Sequence, residues 1–192
     1  GETIGKFHPH GEASCYGAIT TQVITSTPPI EGVGNWGSLI DPAGAPRYTN
    51  VKMSGFGRLS FFHPEYLPLM TKVDNYDGKD KEPLFLPATL PNLLLNGIEG
   101  IGLGLTTRIP AFTPKSLLPL LADMAMGEEL TSQAIAKRLQ PYHEYGGTLV
   151  KDKANFQAFV QLIDSPKSSL RWTSEFDVDE VKKQITLTKF GP

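Results

Sequence analysis

The sequence predicts an α+β fold in two domains, and three observations carry that prediction. The clearest helices, at 113–127 and from Thr131 onward, have recognisable caps. Before them, short apolar runs such as Leu84-Phe85-Leu86-Pro87 are broken by Gly and Pro, which favours short strands and turns. From about residue 147 the texture changes: Leu170, Trp172, Ser174 and Phe176 alternate with polar residues, as do Ile185 and Leu187. Period-two alternation marks strands, so a hairpin is expected there, with Asp177–Lys182 between its arms. The change of texture places a domain boundary within 127–147, giving domains over 1–127 and 128–192.

In chain order, residues 12–25 read as a helix. Tyr16, Ile19, Val23 and Ile24 recur at helical spacing on one apolar face, and Pro28-Pro29 ends it. Residues 26–47 read as a long loop rich in Gly, Ala and Pro, and loops of that length in compact domains are often functional. Residues 50–62 suggest a second helix, with Val51, Met53, Phe56, Leu59 and Phe62 as its apolar set. Gly55 and Gly57 each weaken that helix by about 1 kcal/mol relative to Ala. Val73 to Gly78 is a turn cluster, and Leu84–Pro87 and Leu93–Gly97 read as short buried strands or turns.

The helix at 113–127 has Thr113 as N-cap, Pro114 at its first position and Gly127 to stop it. Phe112 and Leu117 can form a hydrophobic staple, and Leu117, Leu121 and Met124 are expected on the buried face. Thr131 starts the next helix in the same manner, with Leu130 and Ile135 as its staple and Pro141 beyond its end.

Composition narrows the class. A chain of 192 residues with 40% hydrophobic and 20% charged content can bury a core and is not disordered. The formal net charge of -2 supplies no global attraction for nucleic acid, so any such contact must come from a local basic patch. One cysteine, Cys15, excludes an internal disulfide and suits a reducing compartment. No apolar run approaches the roughly 18 residues of a membrane span, so no membrane partner is expected. The chain opens inside a motif without an initiator Met, and it is expected to be a piece of a longer polypeptide.

Several residues could carry chemistry. His8-Pro9-His10 invites a zinc reading, but zinc needs three or four ligands, and only Cys15 and Glu12 stand nearby. An imidazole titrating near neutrality could instead touch a phosphate or shuttle a proton. Glycines at 97, 100, 102 and 104 resemble a dinucleotide loop. The residues after them contain two threonines, Arg108 and Pro110 where that motif requires a helix start. No Gly-Lys-Ser/Thr phosphate loop occurs, and Asp177-Val178-Asp179 reads as a solvated hairpin tip. Tyr48 is the candidate nucleophile. A phenol needs cationic neighbours to attack a phosphodiester, and Arg47 adjoins it while Lys52 would lie about one helical turn on. No carboxylate cluster accompanies Tyr48, so a metal for such chemistry would come from another chain or domain.

Six segments, in order and at matching spacing, resemble the breakage-reunion region of the type IIA DNA topoisomerases, the gyrase and topoisomerase IV A-subunit family. They are Ile4–Glu12, Gly34–Ser38, Arg47-Tyr48-Thr49, Val73–Gly78, Leu90–Leu94, and Asn96-Gly97 through Ile101-Gly102. The resemblance implies a winged-helix (catabolite-activator-like) DNA-gate domain over 1–127, followed over 128–192 by the beginning of a tower-like α/β domain. It implies that Tyr48 forms a 5′-phosphotyrosyl link with DNA, that Arg47 stabilises the pentavalent phosphate, and that His10 lies near the scissile phosphate. Lys6, His8 and Lys52 would hold the DNA backbone, Ile101 would wedge between base pairs, and the helix at 12–25 would lie in the major groove.

The same resemblance implies partners and cofactors: double-stranded DNA, a second copy of the cleavage subunit in a homodimer, and a toprim/ATPase subunit or domain. That partner would hold Mg²⁺ on its toprim region and bind ATP, in an ATP-hydrolysing enzyme of the cytoplasm or nucleoid. Pro46 and Glu99-Gly100-Ile101-Gly102 are closer to eukaryotic and viral versions, whereas His8-Pro9-His10 and Val73–Gly78 are closer to bacterial ones. The mixture points to a viral or phage enzyme, acting in the host cytoplasm. Ala13 and Gly17 stand where bacterial enzymes carry the Ser and acidic residue that anchor quinolones, with Ser14 able to take part after a one-residue register shift, and this pattern implies poor drug sensitivity. Two rival readings use the same residues: a non-catalytic winged-helix module that only binds duplex DNA, and a metal-dependent nuclease built on His8 and His10.

Overall fold

A computed structural model describes residues 1–192 other than 39, 144–145, 166–167 and 191–192. The chain divides into two compact units, Gly1–Asn92 and Leu93–Pro192. Among the described residues, twelve strands pair into six two-stranded antiparallel ribbons, accompanied by seven α-helices. The mixed α+β class is therefore as expected. Among the described residues, no helix is long and apolar enough to cross a membrane.

The first unit opens with a short helix α1 (Glu2–Lys6), then α2 (Glu12–Ile24). Glu12 in the first turn of α2 complements the helix dipole, and the chain leaves it extended at Thr25 ahead of Pro28-Pro29. Tyr16, Ile19 and Val23 are half-buried, while Ala13, Ser14, Gly17 and Thr21 are exposed on the other side.

The expected loop over 26–47 contains a strand, β1 (Ile30–Val33). It pairs with β2 (Asn50–Met53) in the register Ile30↔Met53, Glu31↔Lys52, Gly32↔Val51 and Val33↔Asn50. The helix expected over 50–62 is correspondingly shorter, α3 (Gly55–Phe61). Ser54 makes the break. Its hydroxyl accepts from Gly57 N at 2.8 Å as an N-cap and donates to Pro28 O at 2.6 Å, so the helix cannot begin earlier. Val51 and Met53 fit the period of a strand as well as that of a helix, and the cross-strand partner decides between them.

The turn cluster at 73–78 connects β3 (Lys72–Asp74) to β4 (Lys81–Pro83). Asn75, 4% exposed, caps that turn by accepting from Asp80 N at 3.1 Å. Leu84, Phe85 and Leu86 follow as an exposed bend, so of the short buried strand or turn expected there the burial is absent.

At the start of the second unit, α4 (Asn92–Asn96) buries Leu95 to 1% exposure, so the stretch expected as a short buried strand or turn is buried but helical. A hairpin follows, β5 (Ile98–Ile101) with β6 (Thr106–Ile109), then β7 (Ala111–Phe112). Helix α5 (Pro114–Ala125) follows Thr113, with Gly127 at φ +89 beyond its end. Its buried residues are Ser116, Leu117 and Leu120; Met124 is exposed, which corrects the expected face by about one position. Helix α6 (Ser132–Arg138) is capped by the Thr131 hydroxyl, which accepts from Ala134 N at 3.2 Å.

Next come β8 (Pro141–Tyr142), paired with β7, and β9 (Thr148–Leu149). Both sides of residue 127 are joined by that β7–β8 pair, by an Arg138–Asp123 ion pair and by Gln140 N donating to Ser116 Oγ at 3.0 Å. Helix α7 (Lys153–Asp164), capped by Asp152, adds an element beyond those expected. It brings Phe159, 3% exposed, against Phe112 with ring centroids 6.3 Å apart. Each such side chain contributes about 1.5–3 kcal/mol by burial. The alternating C-terminal stretch forms two ribbons. β10 (Trp172–Thr173) pairs with β9, while β11 (Glu175–Asp179) pairs with β12 (Gln184–Lys189). Asp177 and Asp179 therefore lie in a strand, not at the hairpin tip.

Candidate functional site

Pro46, Arg47 and Tyr48 form a single 3-10 turn in the first unit. Proline fixes φ for the first position, Tyr48 N donates to Ala45 O at 2.9 Å, and extended backbone at Thr49 leads into β2. The Tyr48 side chain projects into solvent, 69% exposed. The Arg47 guanidinium carbon lies 4.6 Å from the centre of its ring, a cation–π contact that keeps a fixed positive charge beside the phenol.

The turn is seated on a scaffold from three directions. Gly34, at φ +100, passes so close that a Cβ there would stand 2.8 Å from Tyr48 O. Trp36, 8% exposed, donates its indole N–H to Val33 O at 3.3 Å, and Gly44 N donates to Asn35 O at 2.9 Å. From α2, the Tyr16 hydroxyl donates to Gly44 O at 2.6 Å and lies 2.9 Å from the Thr49 hydroxyl. Sequence reasoning counts Tyr16 only as a member of an apolar face. A tyrosine on a half-buried helix face is the available signal, since such phenols usually seek a partner.

The other candidate residues fall into smaller groups. His8 and His10 stack with ring centroids 4.2 Å apart and 8° between planes, and His10 N donates to His8 O at 2.8 Å. Lys6 closes α1 and pairs with Glu2 at 3.0 Å and Asp80 at 3.8 Å. A hydrogen bond and then the charge of Glu2, followed by the charge of Asp80, raise the ammonium above its ordinary value. Lys52 stands on β2 opposite Glu31, with which it pairs at 2.9 Å. It thus reaches its place along a strand, and not as the next turn of a helix carrying Tyr48. Ile101 ends β5 in the second unit and is 88% exposed. Beyond it Leu103 and Leu105 are also exposed, and Gly102 N closes the hairpin tip by donating to Leu105 O at 2.7 Å.

Among the described residues, no group of three or more His, Cys, Asp or Glu side chains could hold a metal ion. The donors present among those residues do not fit a divalent cation. What the turn can do is present a phenol with an adjoining guanidinium to an external anion.

Comparison with known proteins gives one consistent family. A model of the family described as the A subunit of DNA gyrase/topoisomerase IV matches residues 1–190. The chain is 35% identical over 167 residues to the probable chloroplastic/mitochondrial DNA gyrase A subunit of Oryza sativa subsp. japonica, covering 83% of this chain and 18% of the relative. With the DNA gyrase A subunit of Granulibacter bethesdensis it shares 32% identity over 195 residues, 95% of this chain and 19% of the relative. With that of Haloquadratum walsbyi the identity is 31% over 195 residues, 99% of this chain and 22% of the relative. The chain thus spans about a fifth of the length of these curated relatives.

Proposed function

The chain belongs to the DNA gyrase/topoisomerase IV A-subunit family, and from that premise we propose that it carries the nucleophile half of a type II topoisomerase cleavage site. In this reading the Tyr48 oxygen attacks a backbone phosphorus of duplex DNA. A phosphotyrosyl bond forms to the 5′ phosphate, the P–O3′ bond breaks, and the phenolic proton ends on the departing 3′ oxygen. One diester replaces another, so resealing needs only the ends held in place. Each protomer of a homodimer contributes one Tyr48, and each Tyr48 cuts one strand.

The observation that carries the proposal is the exposed 3-10 turn, with the Tyr48 phenol open to solvent and the Arg47 guanidinium 4.6 Å from its ring. Charge placed where negative charge develops on a pentavalent phosphate is the main device available to such a site. His10 acts near the scissile phosphate, Lys6, His8 and Lys52 hold the backbone, and Ile101 enters the base stack at the tip of an exposed hairpin. The winged-helix architecture with α2 in the major groove belongs to this proposal, as does the division into a DNA-gate domain over 1–127 and a tower-like domain over 128–192. So do the remaining components: Mg²⁺ and ATP on a toprim/ATPase partner, and action on cytoplasmic DNA.

Tyr48→Phe tests it in the cleavage protein assembled with its ATPase partner. Denaturant-trapped protein–DNA adducts should disappear while salt-dependent duplex binding persists. Adducts that survive the substitution would remove Tyr48 from the reaction. If the unsubstituted protein binds duplex but never forms adducts, the chain is a DNA-binding module, and release of free ends without linked protein would mark a nuclease.

A further inference from the structure

We infer that Tyr16 is a positioning residue for Tyr48, clamping both ends of the turn that carries it. The inference rests on the proposed role of Tyr48 for its catalytic consequence, and on geometry alone for the clamp.

A tyrosine hydroxyl has one proton to give and lone pairs to receive with. The Tyr16 proton goes to Gly44 O at 2.6 Å, so at 2.9 Å the Thr49 hydroxyl must be the donor to Tyr16. The alternative acceptor for Thr49, Pro46 O at 3.4 Å, is the poorer one. Gly44 and Thr49 are the residues that flank Ala45-Pro46-Arg47-Tyr48. One phenolic oxygen therefore closes the base of the turn like a staple, and the four residues between its two contacts include Arg47 and Tyr48.

The phenol itself is fixed from behind. Its ring lies 5.3 Å from the buried Trp36 at 31°, and Trp36 is tied to Val33, whose partner across the ribbon is Asn50. Tyr16 also stands on α2 six residues after His10. The clamp thus joins the helix proposed to contact DNA to the turn proposed to attack it, so seating α2 on the duplex orients the Tyr48 oxygen.

Tyr16→Phe keeps the ring on Trp36 and deletes only the oxygen, so the fold should survive. In the assembled cleavage complex at saturating duplex, single-turnover adduct formation should slow about tenfold or more, the scale of a sub-ångström misplacement. Its amplitude and the duplex Kd should stay within about twofold of the parent. Thr49→Val should slow the step as well, and the double variant should be less than multiplicative because the two residues share a bond. Hydrogen exchange on the same complex without DNA provides a second readout. Tyr48 N–H exchange should accelerate about fivefold in Tyr16→Phe, while the amides of α5 are unchanged. Unchanged exchange at Tyr48 overturns the clamp whatever Tyr48 does. Faster exchange with an unchanged adduct rate, or a loss confined to amplitude, overturns the positioning role. If adducts persist in Tyr48→Phe, it is the proposed function that fails, while the clamp still stands or falls on the exchange result.

Discussion

Replacing Gly34 by Ala should damage the Tyr48 turn through two separable effects. The first is conformational: at φ +100 a side chain is strained, at a cost of about 1–3 kcal/mol. The second is steric. The new Cβ would stand 2.8 Å from Tyr48 O and 3.4 Å from the Thr49 Cα, and ordinary contact begins near the latter distance. Tyr48 O would therefore have to retreat by roughly half an ångström, and displacing backbone in this way adds about 1–3 kcal/mol. Gly78→Ala separates the two effects. Gly78 has φ +69 with nothing within 4 Å of its ideal Cβ, so it carries the strain without the clash. Urea unfolding followed by tryptophan fluorescence should show Gly34→Ala less stable than the parent by about 3 kcal/mol, and Gly78→Ala by about 1 kcal/mol. In the proposed reaction, adduct formation should slow about tenfold for Gly34→Ala and stay unchanged for Gly78→Ala. Equal stability and equal adduct rates in the two variants would refute the claim that Gly34 is glycine because Tyr48 passes over it.

Four further outcomes are expected. Gly57→Ala gains about 1 kcal/mol of helix propensity. Its Cβ, however, would stand 2.0 Å from Pro29 O, and the overpacking should win by about 2 kcal/mol or more in a denaturant melt. Thr131→Ala removes the acceptor for Ala134 N and should cost about 1 kcal/mol, read as a lowered Tm. The Asp152 carboxyl is held below its ordinary 3.8 chiefly by its cap bond to Asn155 N. The Glu175 carboxyl is held below 4.5 by the Thr148 hydroxyl and then by Lys189. Unfolding restores both to those ordinary values, so their contribution is complete above about pH 4.5 and declines as pH falls through the depressed values; Asp152→Asn with Glu175→Gln should flatten an acid melt there. Gly17 has open space around it on the exposed side of α2, so Gly17→Asp with Ala13→Ser should fold normally and increase quinolone-stabilised cleavage in the proposed enzyme.

What can be read from the sequence is local. Pro114 and Gly127 delimit α5 and the Thr131 hydroxyl caps α6, signals that act within one turn of the chain that carries them; the Thr113 hydroxyl, expected to cap α5, donates instead to the Ser116 hydroxyl and makes no cap bond. The β1–β2 ribbon escapes such reading because its strands are four residues each, lie some twenty residues apart and stabilise each other only once paired. Helix α7 does carry a local signal: Asp152 precedes Phe156, Phe159, Val160 and Ile163, at cap-then-helical spacing. For the site, the motif residues can be named from resemblance, but not their arrangement. Nothing in the order of residues says that Arg47 lies over the Tyr48 ring or that Lys52 faces Glu31. Nor does it say that a phenol on α2 reaches two residues about thirty positions away.

That arrangement gives the proposed DNA contacts a particular electrostatic character. Lys6 and Lys52 do not stand as free charges: each already meets carboxylates, at 3.0 and 3.8 Å for Lys6 and at 2.9 Å for Lys52. Pairs this exposed are worth only about 0–1 kcal/mol, so a phosphate held in the right place can displace the carboxylate at little cost. A phosphate passing at random gains equally little. With a chain net charge of -2, the result is weak non-specific attraction and contact that depends on correct seating. Arg47 is arranged differently. Its guanidinium meets a ring face, which leaves the charge intact and available to a phosphate beside Tyr48. In the proposed reaction, the lysines therefore report that DNA is seated, while the arginine supplies positive charge at the point of attack.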